Sequence, residues 1–214
     1  MRLLVAVLVG LLAVTSAAFA RTRTEAADLA KTVNLTKSDM PGYKATPTET
    51  TELAGDKKFV RCAKTVPLSQ YVGYLQSKTF EGETSGNYHS VSSEVDVLKS
   101  PELVQKDLAA WGTKRARNCI VQQLKRDGGR ELVKVTVSPL KPAVPNGTGL
   151  RIKSIVRSGG MKVRVYSDVL LVGHEDVELA LITQSGPRPL KRDREDAWLA
   201  IIESRLEAQL QPVV

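Results

Sequence analysis

The segment from residue 131 to residue 183 constrains this chain most, because it carries four strand-like runs separated only by short turn signals. The runs cover residues 131–138, 149–158, 161–172 and 176–183, and each is rich in β-branched and aliphatic residues. Gly159-Gly160 is a tight hairpin signal and Gly173-His174-Glu175 a second short connection, so three of these runs are expected to form an antiparallel meander. Upstream, Val91, Ser93, Val95 and Val97 alternate with Ser92, Glu94, Asp96 and Leu98, the period of a strand with one buried face.

Helices frame these strands. Ser100 is an N-cap candidate, followed by Pro101 at the first helical position and Glu102 in the first turn. Val104, Leu108, Trp111, Ile120 and Leu124 continue at helical spacing until Gly128-Gly129, which predicts one long helix. Asp193 opens a final helix with Trp198, Ile201, Ile202, Leu206 and Leu210 as its apolar stripe. The order of elements predicts an α+β fold: an antiparallel β-sheet of about five or six strands packed against a long central helix and a C-terminal helix.

The amino-terminal part carries weaker signals. Residues 21–31 are polar and alanine-rich and read as a frayed helix, and Pro41 and Gly42 punctuate a turn into a short strand. Residues 46–58 read as a loop or a short helix leading to Phe59-Val60-Arg61-Cys62. Residues 76–88 are polar, lack a period and read as an exposed loop.

Residues 1–20 read as a cleavable secretory leader: Arg2, an apolar run from Leu3 to Val14, and the small-x-small site Ala18-Phe19-Ala20. Cleavage between Ala20 and Arg21 is expected. The apolar run is about a dozen residues where a spanning helix needs about twenty. No later stretch is apolar enough to span a membrane, and no cysteine stands at the cut to take a lipid. Removing 20 of the 214 residues leaves enough chain for one domain, placed at 35–214 after a flexible or frayed segment at 21–34. The expected location is secreted, extracellular or cell-envelope.

In an exported protein two cysteines favour a disulfide, here Cys62 to Cys119. Neither sits in a CxxC motif, so redox catalysis is not expected. His89 and His174 stand in polar loop or strand-edge contexts without metal-ligand spacing, and HExxH, HxH and GxSxG are absent. Ser90 beside His89 reads as plain surface. The carboxylate pairs Glu94/Asp96 and Glu195/Asp196 read as solvated faces, because nothing in the sequence shows the burial that would raise a pKa. Gly128-Gly129 and Gly159-Gly160 lack the strand-glycine-helix context of a phosphate loop. No catalytic residues, metal or cofactor are therefore expected.

The formal net charge of +8 permits attraction to an anionic cell-envelope surface. The cationic side chains cluster at Lys114-Arg115-Arg117, Lys125-Arg126-Arg130 and Arg188-Lys191-Arg192-Arg194. No aromatics interleave with them and acids dilute them, so nucleic acid is not an expected partner and each cluster reads as a solvated face. Trp111 and Trp198 lie on apolar helix stripes and read as core anchors. Tyr71 and Tyr74 flank Gly73 and either rim a cleft or cover the sheet edge. Asn34-Leu35-Thr36 and Asn146-Gly147-Thr148 match the N-glycosylation pattern, which matters only in a eukaryotic source.

Together, Ser38-Asp39-Met40-Pro41-Gly42-Tyr43, Phe59-Val60-Arg61-Cys62, Val91-Ser92-Ser93-Glu94-Val95, the acidic-start helix ending near Cys119, and the terminal hairpins and helix form a pattern. It resembles the PknH-like extracellular sensor domain family of actinobacterial receptor kinases and its stand-alone secreted relatives, over most of residues 30–210. The resemblance implies an antiparallel sheet flanked by helices, no enzymatic activity, and a groove that receives an extracellular ligand or partner. The 214 residues depart from the kinases: they hold no kinase segment, no spanning helix and no lipid-anchor cysteine, and offer one disulfide where the kinase sensors carry more. The competing reading is a secreted cell-envelope enzyme or accessory protein with a carboxylate site that no motif reveals.

Overall fold

The computed structural model describes residues 21–47 and 57–211; the expected leader, with Ala20 at its cut, lies outside the described residues. Eight strands pair antiparallel in a single sheet: β1 (Lys44–Thr46), β2 (Tyr71–Gln76), β3 (Thr79–Thr84), β4 (Asn87–Leu98), β5 (Leu132–Pro139), β6 (Gly147–Ser158), β7 (Met161–His174) and β8 (Val177–Gly186). Their order is β1-β3-β4-β8-β7-β6-β5, with β2 also pairing with β4. Strands β3 and β2 share one edge of β4, taking residues 87–91 and 94–98 respectively. The meander read from the glycine turns is present as β6-β7-β8, and it joins β4 through the β4–β8 ladder.

Helices cover both faces. Helices α1 (Arg23–Val33) and α5 (Arg192–Leu210) bury Ala26, Ala30, Val33, Trp198, Leu199, Ile202 and Leu206 against Val91, Val95, Val97, Leu170, Val172, Leu179 and Leu181. On the other face, α2 (Lys57–Ala63), α3 (Pro101–Trp111) and α4 (Lys114–Asp127) bury Phe59, Val104, Leu108, Trp111 and Ile120 against Leu150, Ile152, Leu171 and Ala180. The alternation along β7 and β8 makes this possible, because Leu170 and Leu171 point to opposite layers. The Cys62–Cys119 disulfide forms, with Cα atoms 5.9 Å apart, and ties α2 to α4. Both tryptophans are core anchors: Trp111 packs on Phe59, with ring centroids 5.2 Å apart, and Trp198 meets Tyr43 edge-on.

Four expectations need correction. The described residues form eight strands, not five or six, because residues 76–88 are not an exposed loop. They complete a hairpin of β3 and β4 whose turn residues Ser85 and Gly86 both take positive φ, 50° and 71°. Strand β3, flanked on its outer side only by the three residues of β1, buries only Phe80, which hides its period.

The long helix is two helices. Trp111 and Ile120 are nine residues apart, and at about 100° per residue an unbroken helix would set them on opposite sides. The chain breaks at Gly112 and restarts at Thr113, whose hydroxyl accepts from the Ala116 N–H at 3.0 Å, and this turns Ala116, Cys119 and Ile120 into the same core as Trp111.

Residues 23–33, expected to fray, form a helix with a capping box between Thr22 and Glu25. Its alanines allow close approach: a Cβ on Gly73 of β2 would meet the Ala26 Cβ at 3.0 Å. Finally, Asn34 is no accessible glycosylation acceptor; it is buried, donates to the Leu75 carbonyl and accepts from the Ser93 hydroxyl.

Candidate functional site

The register of the sheet lays out a floor on the face shared with α2, α3 and α4. Ser90, Gln184, Ser167 and Ile152 form one row across β4, β8, β7 and β6, and Ser92, Ile182, Val169 and Leu150 form the next. Over these rows lies a cleft of about 790 Å³. Gln123, Leu124 and Asp127 at the end of α4, with Glu131 and Leu132 beyond it, form one wall, and Gln76 and Thr79 face them. The cleft lies between these walls over a floor in which serines stand among larger aliphatic side chains. Serine hydroxyls alternate with Ile152, Val156, Val165, Val169 and Ile182, so the floor is aliphatic, dotted with hydrogen-bonding groups and free of charge. Ser92 accepts from Gln76 Nε2 at 3.3 Å, whereas the Ser154 and Ser167 hydroxyls have no partner among the described residues.

The same face becomes acidic beneath α3. The next rows place Glu94 beside Ala180 and Asp96 beside Glu178. Asp96 and Glu178 are buried, and Asp96 Oδ1 and Glu178 Oε2 have no hydrogen-bond partner among the described residues. Burial, reinforced by neighbouring carboxylates, pushes both well above the usual carboxylate range. Burial also raises Glu94, and raises Asp107 of α3 to about 6 although Asp107 accepts from the Val66 N–H and the Trp111 indole.

A second buried acid group lies on the opposite face. Asp168 of β7 accepts two hydrogen bonds from Arg151, and Glu195 of α5 accepts from Thr183 at 2.9 Å and pairs with Arg192 at 3.2 Å. Burial and the neighbouring Asp168 raise Glu195 to about 8. The solvated-face reading of Glu94/Asp96 and of Glu195 is therefore corrected: period-2 and helical phases place Asp96 and Glu195 inside. None of these raised carboxylates lines the cleft. Among the described residues no group of three His, Cys, Asp or Glu side chains is arranged to hold a metal ion.

The remaining candidates are scattered. Tyr71 is part-buried against the α3 layer, and burial raises its phenol above the ordinary range. Tyr74 is half exposed on the edge strand β2, on the cleft side because it pairs with Asp96. Neither lines the cleft; their neighbour Gln76 does. His89 is not at a strand edge but buried in the central strand β4, 2.6 Å from the Tyr43 hydroxyl. His174 contacts Glu203 at 3.1 Å. Arg21 pairs with Asp176. The serine and glutamine floor escaped the sequence reading because serines on strands carry no motif; only the alternation from Ser90 onward placed them on one face.

No family model matches the chain, and no curated protein matches it by sequence. Among solved structures, the extracellular domain of PknH from Mycobacterium tuberculosis superposes with a TM-score of 0.49 at 10% identity, covering 85% of this chain and 96% of that one. LpqN, involved in cell envelope biogenesis in the same organism, superposes with a TM-score of 0.31 at 7% identity, over 79% of this chain and 77% of that one. These are similarities of chain path.

Proposed function

We propose that this chain is a secreted, non-catalytic sensor-like domain that receives a small, largely apolar ligand in the cleft over β4, β8, β7 and β6. The observation that carries the reading is the floor itself: aliphatic side chains interspersed with serines, of which Ser154 and Ser167 have no partner among the described residues, suit a neutral ligand with a few polar groups. The carboxylates whose pKa values would suit acid-base work lie sealed under α3 and α5, outside the cleft lining, which supports binding over the alternative of a cell-envelope enzyme. The disulfide and the leader at residues 1–20 suit an oxidising compartment outside the cytoplasm.

The test is occupancy of the cleft. A neutral fluorescent probe, N-phenylnaphthylamine, should bind saturably to the exported protein. Ser167→Trp, which fills the middle of the floor, should abolish that binding while leaving the thermal unfolding midpoint near the wild-type value. Probe binding that survives Ser167→Trp and a second filling variant, Ile182→Trp, would sink the proposal.

A further inference from the structure

A second cavity, of about 340 Å³, lies on the other side of the β4–β8 ladder from the cleft and is chemically its opposite. Its lining includes Arg188, Lys191 and Arg194 and contains no carboxylate. Among the described residues none of these three cations forms an ion pair, although arginines nearby do: Arg151 pairs with Asp168, and Arg192 with Glu195 and Asp196. The acids of this part of α5 are thus turned away, Glu195 inward to Thr183 and Asp196 to Arg192, and Asp193 is not in the lining. Three positive charges face one small space with nothing of opposite sign.

Two further observations concern the same cavity. Asn87 is nine-tenths buried and lines it; its Oδ1 accepts from the Arg188 N–H at 2.9 Å, which leaves its Nδ2 as a donor with no partner among the described residues. Two of the cations are also held in place by their surroundings. Arg188 donates to the Ser85 carbonyl at 2.9 Å, and Arg194 stands against the Tyr43 hydroxyl, whose pKa burial raises and Arg194 opposes. Tyr43 in turn contacts the buried His89. Lys191 is the N-cap of α5 and makes no side-chain capping hydrogen bond, so the positive end of a 19-residue helix opens on the same space.

We infer that Arg188, Lys191, Arg194 and Asn87 form a binding site for a phosphoryl group. A carboxylate brings one charge and two oxygens. A phosphoryl monoester brings nearly two charges and three free oxygens, which matches two guanidinium forks, an ammonium and an amide donor. The cavity is larger than a bare phosphate requires, so it admits the group to which the phosphate is bonded. That group comes either from a free phosphorylated metabolite or from a lipid headgroup.

The experiment titrates the exported protein with glycerol phosphate by calorimetry and, in parallel, sediments it with vesicles of phosphatidylcholine with or without phosphatidic acid. Two triple variants are compared: Arg188→Gln/Lys191→Gln/Arg194→Gln in the cavity, and Lys125→Gln/Arg126→Gln/Arg130→Gln at the end of α4, which removes the same charge elsewhere. Each exposed substitution leaves the core untouched. The expected result is binding that falls about tenfold or more in the cavity variant and stays within about twofold of wild type in the α4 variant. Calorimetric binding identifies a soluble phosphate, and sedimentation alone a lipid headgroup. No binding in either arm, or equal losses in both variants, overturns the site and leaves only diffuse attraction by net charge.

Discussion

The two faces of this sheet solve the same problem differently. On the α1/α5 side, buried acids are accompanied by cations: Asp168 and Glu195 stand with Arg151 and Arg192. On the α2–α4 side, Asp96 and Glu178 lie buried, each with an oxygen that has no hydrogen-bond partner and neither in an ion pair among the described residues, and the helices above them are tied by the Cys62–Cys119 bond. The first face carries the paired acids and, at one end, the small cationic cavity. The second holds the cleft, and its covering layer has a covalent link and buried carboxylates whose pKa values burial raises. The larger cleft thus lies on the face whose helices are tied covalently, where the opening interrupts the contacts between helix and sheet.

Cutting the covalent link tests that contrast most strongly. The bond closes a loop spanning 57 positions, and the chain-entropy argument assigns it about 4 kcal/mol. Cys62→Ser and Cys119→Ser should each lower stability by about that amount in denaturant unfolding, and the double variant should be no worse than either single one. Additive losses would mean that the bond is not what holds α2 to α4. Hydrogen exchange should rise in α2 and α4 before it rises in α5.

A smaller effect separates the two acid groups by pH. Folded-state pKa values of Asp96, Glu178 and Asp107 are raised, so the native state binds more protons than the unfolded chain, and stability is greatest below the unfolded carboxylate range and falls as pH rises. For Asp107 the loss runs from its unfolded value near 4 to about 6. Glu178→Gln keeps the neutral shape and removes one titration. It should match wild type near pH 4 and be the more stable of the two near pH 8 in urea unfolding. A variant no more stable than wild type at the higher pH would show that Glu178 is charged and compensated, like its counterparts across the sheet.

The same contrast explains what could be read from the sequence. The meander, the central strand, the last helix and the cysteine pair were legible because glycine turns, alternation and a full apolar stripe are local signals. Strands β2 and β3, near the margin of the sheet, were not: β2 buries no residue fully and β3 buries only Phe80. Helix α1 was hidden because it packs through alanines rather than large side chains. The cleft floor and the cationic cavity depend on strand order: nothing in the chain announces that Ser90, Gln184 and Ser167 are neighbours, or that Asn87 meets Arg188.

The break between α3 and α4 was legible in the phase of its own stripe, and it supports the smallest prediction. Thr113 restarts the helix by accepting the Ala116 N–H, and α4 then supplies both a disulfide cysteine and the Gln123–Leu124 wall of the cleft. Thr113→Ala removes one cap and should cost about 1 kcal/mol. The loss should appear as faster amide exchange in the first turn of α4, while Cys119 stays anchored to Cys62 and the cleft keeps its probe affinity. If Thr113→Ala instead abolishes probe binding at full disulfide content, the cleft wall is set by the cap and not by the bond, and the covalent link loses its place as what holds the open face.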